Sequence, residues 1–407
     1  MKLIKCSIVA SIVLGLFSTI NATSLDSIIG KIDVSGYIRY RYYNEDNSIP
    51  GSSTDRHRFT VPVMFKVQVS DHITAGFAML ADKSDYATDH RYASSYYSYG
   101  QIQTYSDTTF NLSRMWFNYN NNGLNIKLGR QIVDTPLSEG GITGTYGDGV
   151  LVTYNAPYNT TLIAAAFVKS NQTTDGAIYD SAAGWINGSY SINNDNVYYI
   201  AGMTSYKNIN AQLWAFKVNQ IVDAAVFGQL DAKFGDLTLT AQDSWVKITK
   251  PSAIILDWID VVKNEDDTGN FIGLKADYKI QNINLGAGYT STSKNNGVTT
   301  LDADGKLIKA GKQLYYHTTN ARDTDVYFLT ANTNIKKWSA GAGFVKSNSY
   351  KGSRLDGAKE FYGEIAYKYN HKTKVSAYYS DLDMHGVGDN VKGGDNKEFR
   401  LEVKYSF

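Results

Sequence analysis

Cysteine is all but absent from this chain, whose single Cys6 stands in the first stretch of the sequence. Anything secreted without further cysteines is not stapled by disulfides. Proline is scarce, at 5 in 407 residues, so little of the chain is barred from strand pairing. Long apolar runs are missing too. The best candidate beyond the N-terminus, 254–262, is broken by Asp257 and Asp260, and a spanning helix needs about 20 apolar residues. Charge of one sign is also lacking. Without Lys2 and Lys5, the 40 basic residues fall to 38 against 39 acidic ones, a net of −1. That excludes the electrostatic footprint of a nucleic-acid binder. The histidines His57, His72, His90, His317, His371 and His385 are scattered without metal-ligand spacing. No Gly-x-Ser-x-Gly occurs, and no enzyme is expected. Asp302-Ala303-Asp304-Gly305 lacks the later ligands of a calcium loop and reads as a turn.

What is present begins with an address. Lys2 and Lys5 precede an apolar run over 8–17, and small Ala22 follows at the expected cleavage position. This is the layout of a secretory signal peptide over 1–22, and it contains Cys6. Residues 23–407 remain as one domain. Glycine is plentiful, and tyrosine, with 31 copies, is the main aromatic. Tyrosine suits a membrane interface, where a ring with one polar end sits half wet.

The C-terminus is two-faced. Phe399, Leu401, Val403, Tyr405 and Phe407 alternate with Arg400, Glu402, Lys404 and Ser406, the period of a strand. Ile32, Val34, Ile38, Tyr40 and Tyr42 alternate with Asp33, Ser35, Arg39 and Arg41. Phe59, Val61, Val63, Phe65, Val67 and Val69 do the same against Arg58, Thr60, Lys66, Gln68 and Ser70. Such runs have the length of a spanning strand, about 9–11 residues. Hairpins sharpen the reading. Around Gln281-Asn282, Ile280 faces Ile283, Tyr278 faces Leu285 and Ala276 faces Ala287. Around Asn122-Gly123, a type I′ turn signal, Tyr119 meets Ile126 and Phe117 meets Leu128. The length suits a transmembrane antiparallel β-barrel of about 16–18 strands. Polar segments over 82–108 and 291–323 read as extracellular loops. A multi-sandwich secreted protein explains the alternation but not the terminal Phe407.

Strand parity puts Arg39, Arg41, Arg56, Arg58, Arg114 and Arg400 on the polar face, a candidate basic wall. Facing it, the 131–149 segment carries Pro136 and several glycines, which stop strand pairing. It is expected to fold into the lumen as a constriction, with Asp134, Glu139 and Asp148 set against the arginines. An extracellular loop is the alternative.

Asp33-Val34-Ser35-Gly36-Tyr37-Ile38-Arg39-Tyr40-Arg41-Tyr42 resembles the opening strand of the Campylobacter-type major outer membrane porins. Gly129-Arg130-Gln131 with Asp134…Glu139-Gly140 is similar to theirs, and more distantly to OprD-type porins. Tyr315-Tyr316-His317-Thr318-Thr319 and Tyr405-Ser406-Phe407 fit as well. The resemblance spans the chain at the level of plan, on short motifs. It implies a homotrimeric barrel of about 18 strands, integral to the cell outer membrane, passing ions and small hydrophilic solutes. It also suggests calcium at Asp134 and Glu139, although Glu139 stands where the family pattern calls for Asp; no cofactor is otherwise required. Two other functions stay open: an adhesin or receptor acting through its loops, and a barrel hydrolase.

Overall fold

The computed structural model describes residues 32–47, 53–88, 109–138, 140, 146–171, 196–250, 262–301, 305–315, 321–384 and 395–407. The expected leader, Glu139, 302–304 and 316–319 lie outside them.

The described residues form 18 strands. They are β1 (Ile32–Asn47), β2 (Thr54–Gln68), β3 (Ile73–Thr88), β4 (Thr109–Asn121), β5 (Leu124–Ile132) and β6 (Tyr146–Ala156). There follow β7 (Thr160–Asn171), β8 (Val197–Tyr206), β9 (Ile209–Val218), β10 (Val222–Phe234), β11 (Leu237–Ile248) and β12 (Thr268–Ile280). The last six are β13 (Ile283–Thr292), β14 (Asp325–Ile335), β15 (Trp338–Asn348), β16 (Lys359–Lys368), β17 (Thr373–Asp383) and β18 (Asn396–Ser406). Each pairs antiparallel with its sequence neighbours, and β1 also pairs with β18. The sheet is therefore a closed barrel without edges, the form in which a sheet leaves no backbone group unpaired in lipid.

Closure is sealed at the chain end. Phe407 N–H donates to the Gly36 carbonyl and Gly36 N–H to the Phe407 carbonyl, both at 3.1 Å. A Cβ at position 36 would strike the Pro62 carbonyl and lie 3.0 Å from the Phe407 ring, so glycine is required at this approach.

One end of the barrel carries tight turns. At Asn122-Gly123 both residues have positive φ, 47° and 81°, the type I′ geometry that matches strand twist. The Gln281-Asn282 hairpin has the register that parity requires, Ile280 opposite Ile283 and Tyr278 opposite Leu285. Most connections at the other end are longer.

Burial is inverted relative to a soluble domain. Leu274 is 50% exposed, Leu329 60% and Leu213 61%, all on the outer face. Burying such a side chain is worth about 1.5–3 kcal/mol, so an outer band of them is tolerable only against hydrocarbon. Near the tight turns, Tyr119, Tyr154, Tyr206, Tyr278 and Trp338 are exposed; toward the other end, so are Phe59, Tyr327, Phe361, Tyr379 and Phe399. These are the two aromatic girdles of a membrane barrel.

The buried apolar cluster lies inside. Phe167, Trp214, Phe216, Phe227, Phe271 and Phe328 on the wall pack with Val133, Leu137, Leu301, Leu307, Ile308 and Leu314 from two connections. One is the connection from β5 to β6, whose described part includes the inward Val133 and Leu137, whereas 131–132 and 146–149 of the expected constriction belong to β5 and β6. The other joins β13 to β14. The reading of 291–323 as an extracellular loop is corrected here: its first two residues extend β13, and the described part from 296 to 315 packs within the barrel.

Candidate functional site

The six arginines singled out by parity fall on one continuous arc of wall, β18-β1-β2-β3-β4. Alternation puts every second residue inward, and cross-strand register then sets partners. Tyr43 stands opposite Arg400, Arg41 opposite Glu402, and Arg39 opposite Lys404. On the other side, Tyr43 faces Arg56, Arg41 faces Arg58, and Arg39 faces Thr60. Arg114, on β4, stands opposite Ala78.

Half of this row is neutralised in place. Arg41 Nε meets Glu402 Oε2 at 2.5 Å. Arg58 Nη2 and Nε reach Asp82 Oδ2 at 2.8 and 3.2 Å, and Thr60 Oγ1 donates to Asp82 Oδ1 at 2.8 Å. Arg56 Nη2 is 3.7 Å from Glu45 and lies 3.9 Å over the Tyr43 ring. Arg400 sits between Tyr378 and Tyr43, 4.5 and 5.9 Å from their rings, while Tyr378 donates to Glu398. Partly exposed pairs of this kind contribute about 0.2–1 kcal/mol each. Their weight lies in fixing where charge stands along a wet passage.

The acids expected across the lumen are placed otherwise. Asp148 is opposite Arg130 in the β5–β6 register, Nη1 to Oδ2 3.9 Å. Asp134 is paired with Lys306, from the second inward connection. Glu139 lies outside the described residues. The carboxylates that answer the arginines are Glu402, Asp82 and Glu45, on the same wall. Glu45 and Asp82 come from strands next to β2 in the sequence, whereas Glu402 is brought to Arg41 only by closure of β1 on β18.

The first inward segment is a small knot. Thr135 and Ser138 bridge across Pro136-Leu137. Ser138 Oγ donates to the Val133 carbonyl at 2.7 Å, and its oxygen accepts Thr135 N–H at 3.2 Å. Leu137 is fully buried. The second segment docks on the first: Leu301 N–H donates to the Leu137 carbonyl at 2.8 Å and Lys306 N–H to the Pro136 carbonyl at 2.7 Å. It is then fastened to the wall at both ends. On β11, Ser244 Oγ donates to the Thr299 carbonyl at 2.7 Å, and Gln242 Oε1 accepts Ile308 N–H at 2.6 Å. On β16, the fully buried Glu360 accepts Lys312 N–H at 2.6 Å, Gln313 N–H at 3.2 Å and Leu314 N–H at 2.8 Å, with Ser380 Oγ at 2.7 Å. Lys312 Nζ reaches Glu364 at 2.8 Å, over the Tyr362 and Tyr378 rings at 5.1 and 5.4 Å. Sequence reasoning missed this segment. Leu301, Leu307, Ile308 and Leu314 were the available signal, since large aliphatics in a polar outer loop have no place to go.

The described residues do not fit a calcium ion at Asp134. Its carboxylate is already met by the Lys306 ammonium. Among the described residues no three His, Cys, Asp or Glu side chains converge, whereas calcium takes about 6–8 oxygens.

A family model described as Campylobacter major outer membrane protein matches residues 1–407. Several solved structures share the fold. The outer membrane protein OpdK from Pseudomonas aeruginosa superposes with a TM-score of 0.69 at 12% identity, covering 93% of this chain and 99% of that one. Pseudomonas aeruginosa OccK5 (OpdH) gives 0.67 at 14%, covering 93% and 98%. Acinetobacter baumannii OccAB1 gives 0.66 at 12%, covering 92% and 96%. Among curated proteins none matches.

Proposed function

The chain belongs to the Campylobacter major outer membrane protein family and is an outer-membrane porin, and from that premise we propose a passive channel whose aperture and selectivity are set by named groups. Ions and small hydrophilic solutes cross through water. The arc of Arg39, Arg41, Arg56, Arg58, Arg114 and Arg400 lines one side of the passage. The two inward segments narrow it from within. The observation that carries this reading is the second segment, fastened at Gln242 and Ser244 on β11 and at Glu360 on β16. A segment held to the wall at both ends restricts a lumen without a moving part. Opposed and clustered charges in such a passage bias which solutes pass.

The same reading has the leader over 1–22 removed, the mature chain working without an enzymatic role or a required cofactor, and three copies assembled in the membrane. The trimer is carried over from the family resemblance.

Planar-bilayer recording of the purified protein tests the channel. Stable ohmic steps support it. Silence refutes it and favours a barrel that acts through its outer loops. Cross-linking of the folded protein in detergent tests the trimer, and the mass of the mature chain tests cleavage after Ala22.

A further inference from the structure

Sorted by partner, seven of the lumen cations fall into two groups, with Arg400 apart between the Tyr378 and Tyr43 rings. Arg41, Arg56 and Arg58, toward the long-loop end, each have a carboxylate within 4.0 Å. Arg39, Lys404, Arg114 and Lys127 have none among the described residues. Arg39 donates to the Thr60 hydroxyl, at 3.4 Å.

These four gather on two aromatic platforms in the tight-turn half of the barrel. Arg39 and Lys404 are directly opposite in register, an arrangement of like charges that costs stability when nothing lies between. Both lie over the Tyr37 ring, at 5.4 and 4.3 Å. Arg114 stands opposite small Ala78, which is fully buried, and two residues from Trp116 on the same face of β4. Lys127 Nζ lies 4.6 Å over the Trp116 ring.

The hydrogen bonding around these groups points the same way. Trp116 is 8% exposed, yet among the described residues its indole N–H has no acceptor, and the buried Nε–H groups of Arg39 and Arg114, like that of Arg56, have none either. Buried donors are ordinarily satisfied. Four cations without a carboxylate partner, two of them with an unanswered Nε–H, beside the unanswered Trp116 indole N–H describe a place built for an acceptor-rich anion.

We propose that Arg39, Lys404, Arg114 and Lys127 form an anion-binding station in the lumen for a compact, multiply charged oxyanion of the phosphate class. This rests on the channel reading. Guanidinium forks match the paired oxygens of an oxyanion, which a halide does not offer. The two ammonium groups supply further charge without imposing geometry. Passage of such an anion then includes a bound step, so it saturates, and the occupied station obstructs chloride.

The test uses the full protein in a planar bilayer in about 0.1 M KCl, where charges separated by more than a Debye length are screened. Inorganic phosphate should lower the single-channel current along a saturating curve. The double variant Arg114→Gln, Lys127→Gln should raise the half-blocking concentration about tenfold, equivalent to about 1.4 kcal/mol. Persistent KCl steps that phosphate leaves unchanged overturn the station while the channel reading stands. A silent bilayer refutes the channel reading instead. The station is then decided by calorimetric titration of phosphate into the folded protein in micelles. Saturable heat that the double variant loses supports it; no saturable heat overturns it. Should the double variant not fold, as judged by heat-modifiable gel migration, Arg39→Gln alone is read in both assays.

Discussion

Replacing Glu360 by alanine should release one end of the inward segment and leave the barrel standing. The carboxylate accepts three consecutive backbone N–H groups, from Lys312, Gln313 and Leu314, together with the Ser380 hydroxyl. A buried donor left without its acceptor costs about 1–3 kcal/mol, so three dry amides cost about 3–9 kcal/mol. What else holds this end is smaller. Burial of Leu314 is worth about 1.5–3 kcal/mol. Gln313 Nε2 donates to Ser380 Oγ at 2.9 Å and to the Asn396 carbonyl at 3.2 Å, about 0.5–1.5 kcal/mol each. The half-exposed Lys312–Glu364 pair adds about 0.2–1 kcal/mol. The orphaned amides match or exceed that sum, and they are relieved by swinging into the watery lumen. The expected result is a larger, noisier single-channel current, with new tryptic cleavage after Lys309 or Lys312 and unchanged heat-modifiable migration. Glu360→Gln keeps one acceptor oxygen and the side-chain volume, so its current should fall between the two. Wild-type current and protease resistance in Glu360→Ala would refute the reasoning.

Four further outcomes follow from the same geometry. Arg39→Gln removes an unpaired charge and should shift the reversal potential in a salt gradient toward cations. Removing the Arg41–Glu402 pair together, as Arg41→Gln with Glu402→Gln, changes no net charge and should leave the reversal potential in place; a shift as large as that of Arg39→Gln counts against the division into paired and unpaired cations. Deleting Phe407 removes both 3.1 Å hydrogen bonds to Gly36 and should impair assembly, seen as loss of heat-resistant folded protein in the outer membrane; normal yield would contradict the role given to that seal. Gly36→Val places a branched Cβ against the Pro62 carbonyl and the Phe407 ring, and should produce the same defect with Phe407 intact.

The amino-acid order by itself determined the strands, their faces and several turns. Alternation from Phe399 to Ser406 is a property of the extended backbone, whose side chains point to opposite sides whatever lies beyond. Asn122-Gly123 adopts positive φ because those residues tolerate it, and Ile280 then meets Ile283 because a two-residue turn leaves no other register. The inward side of Arg39, Arg41, Arg58 and Arg400 was legible for that reason. The strand number was legible only as a range, since it is closure of β1 on β18 that makes it 18. Tertiary structure alone decided how Arg41 is neutralised. Arg41 and Glu402 are 361 positions apart in the chain, and only barrel closure sets them side by side. It likewise decided that Leu301, Leu307, Ile308 and Leu314 turn inward, because the groups that fasten their segment, the acceptors Gln242 and Glu360 and the donor Ser244, are supplied by strands on both sides of the loop. A local pattern reports which way a side chain faces; what it meets there depends on strands that the closed barrel brings from far away.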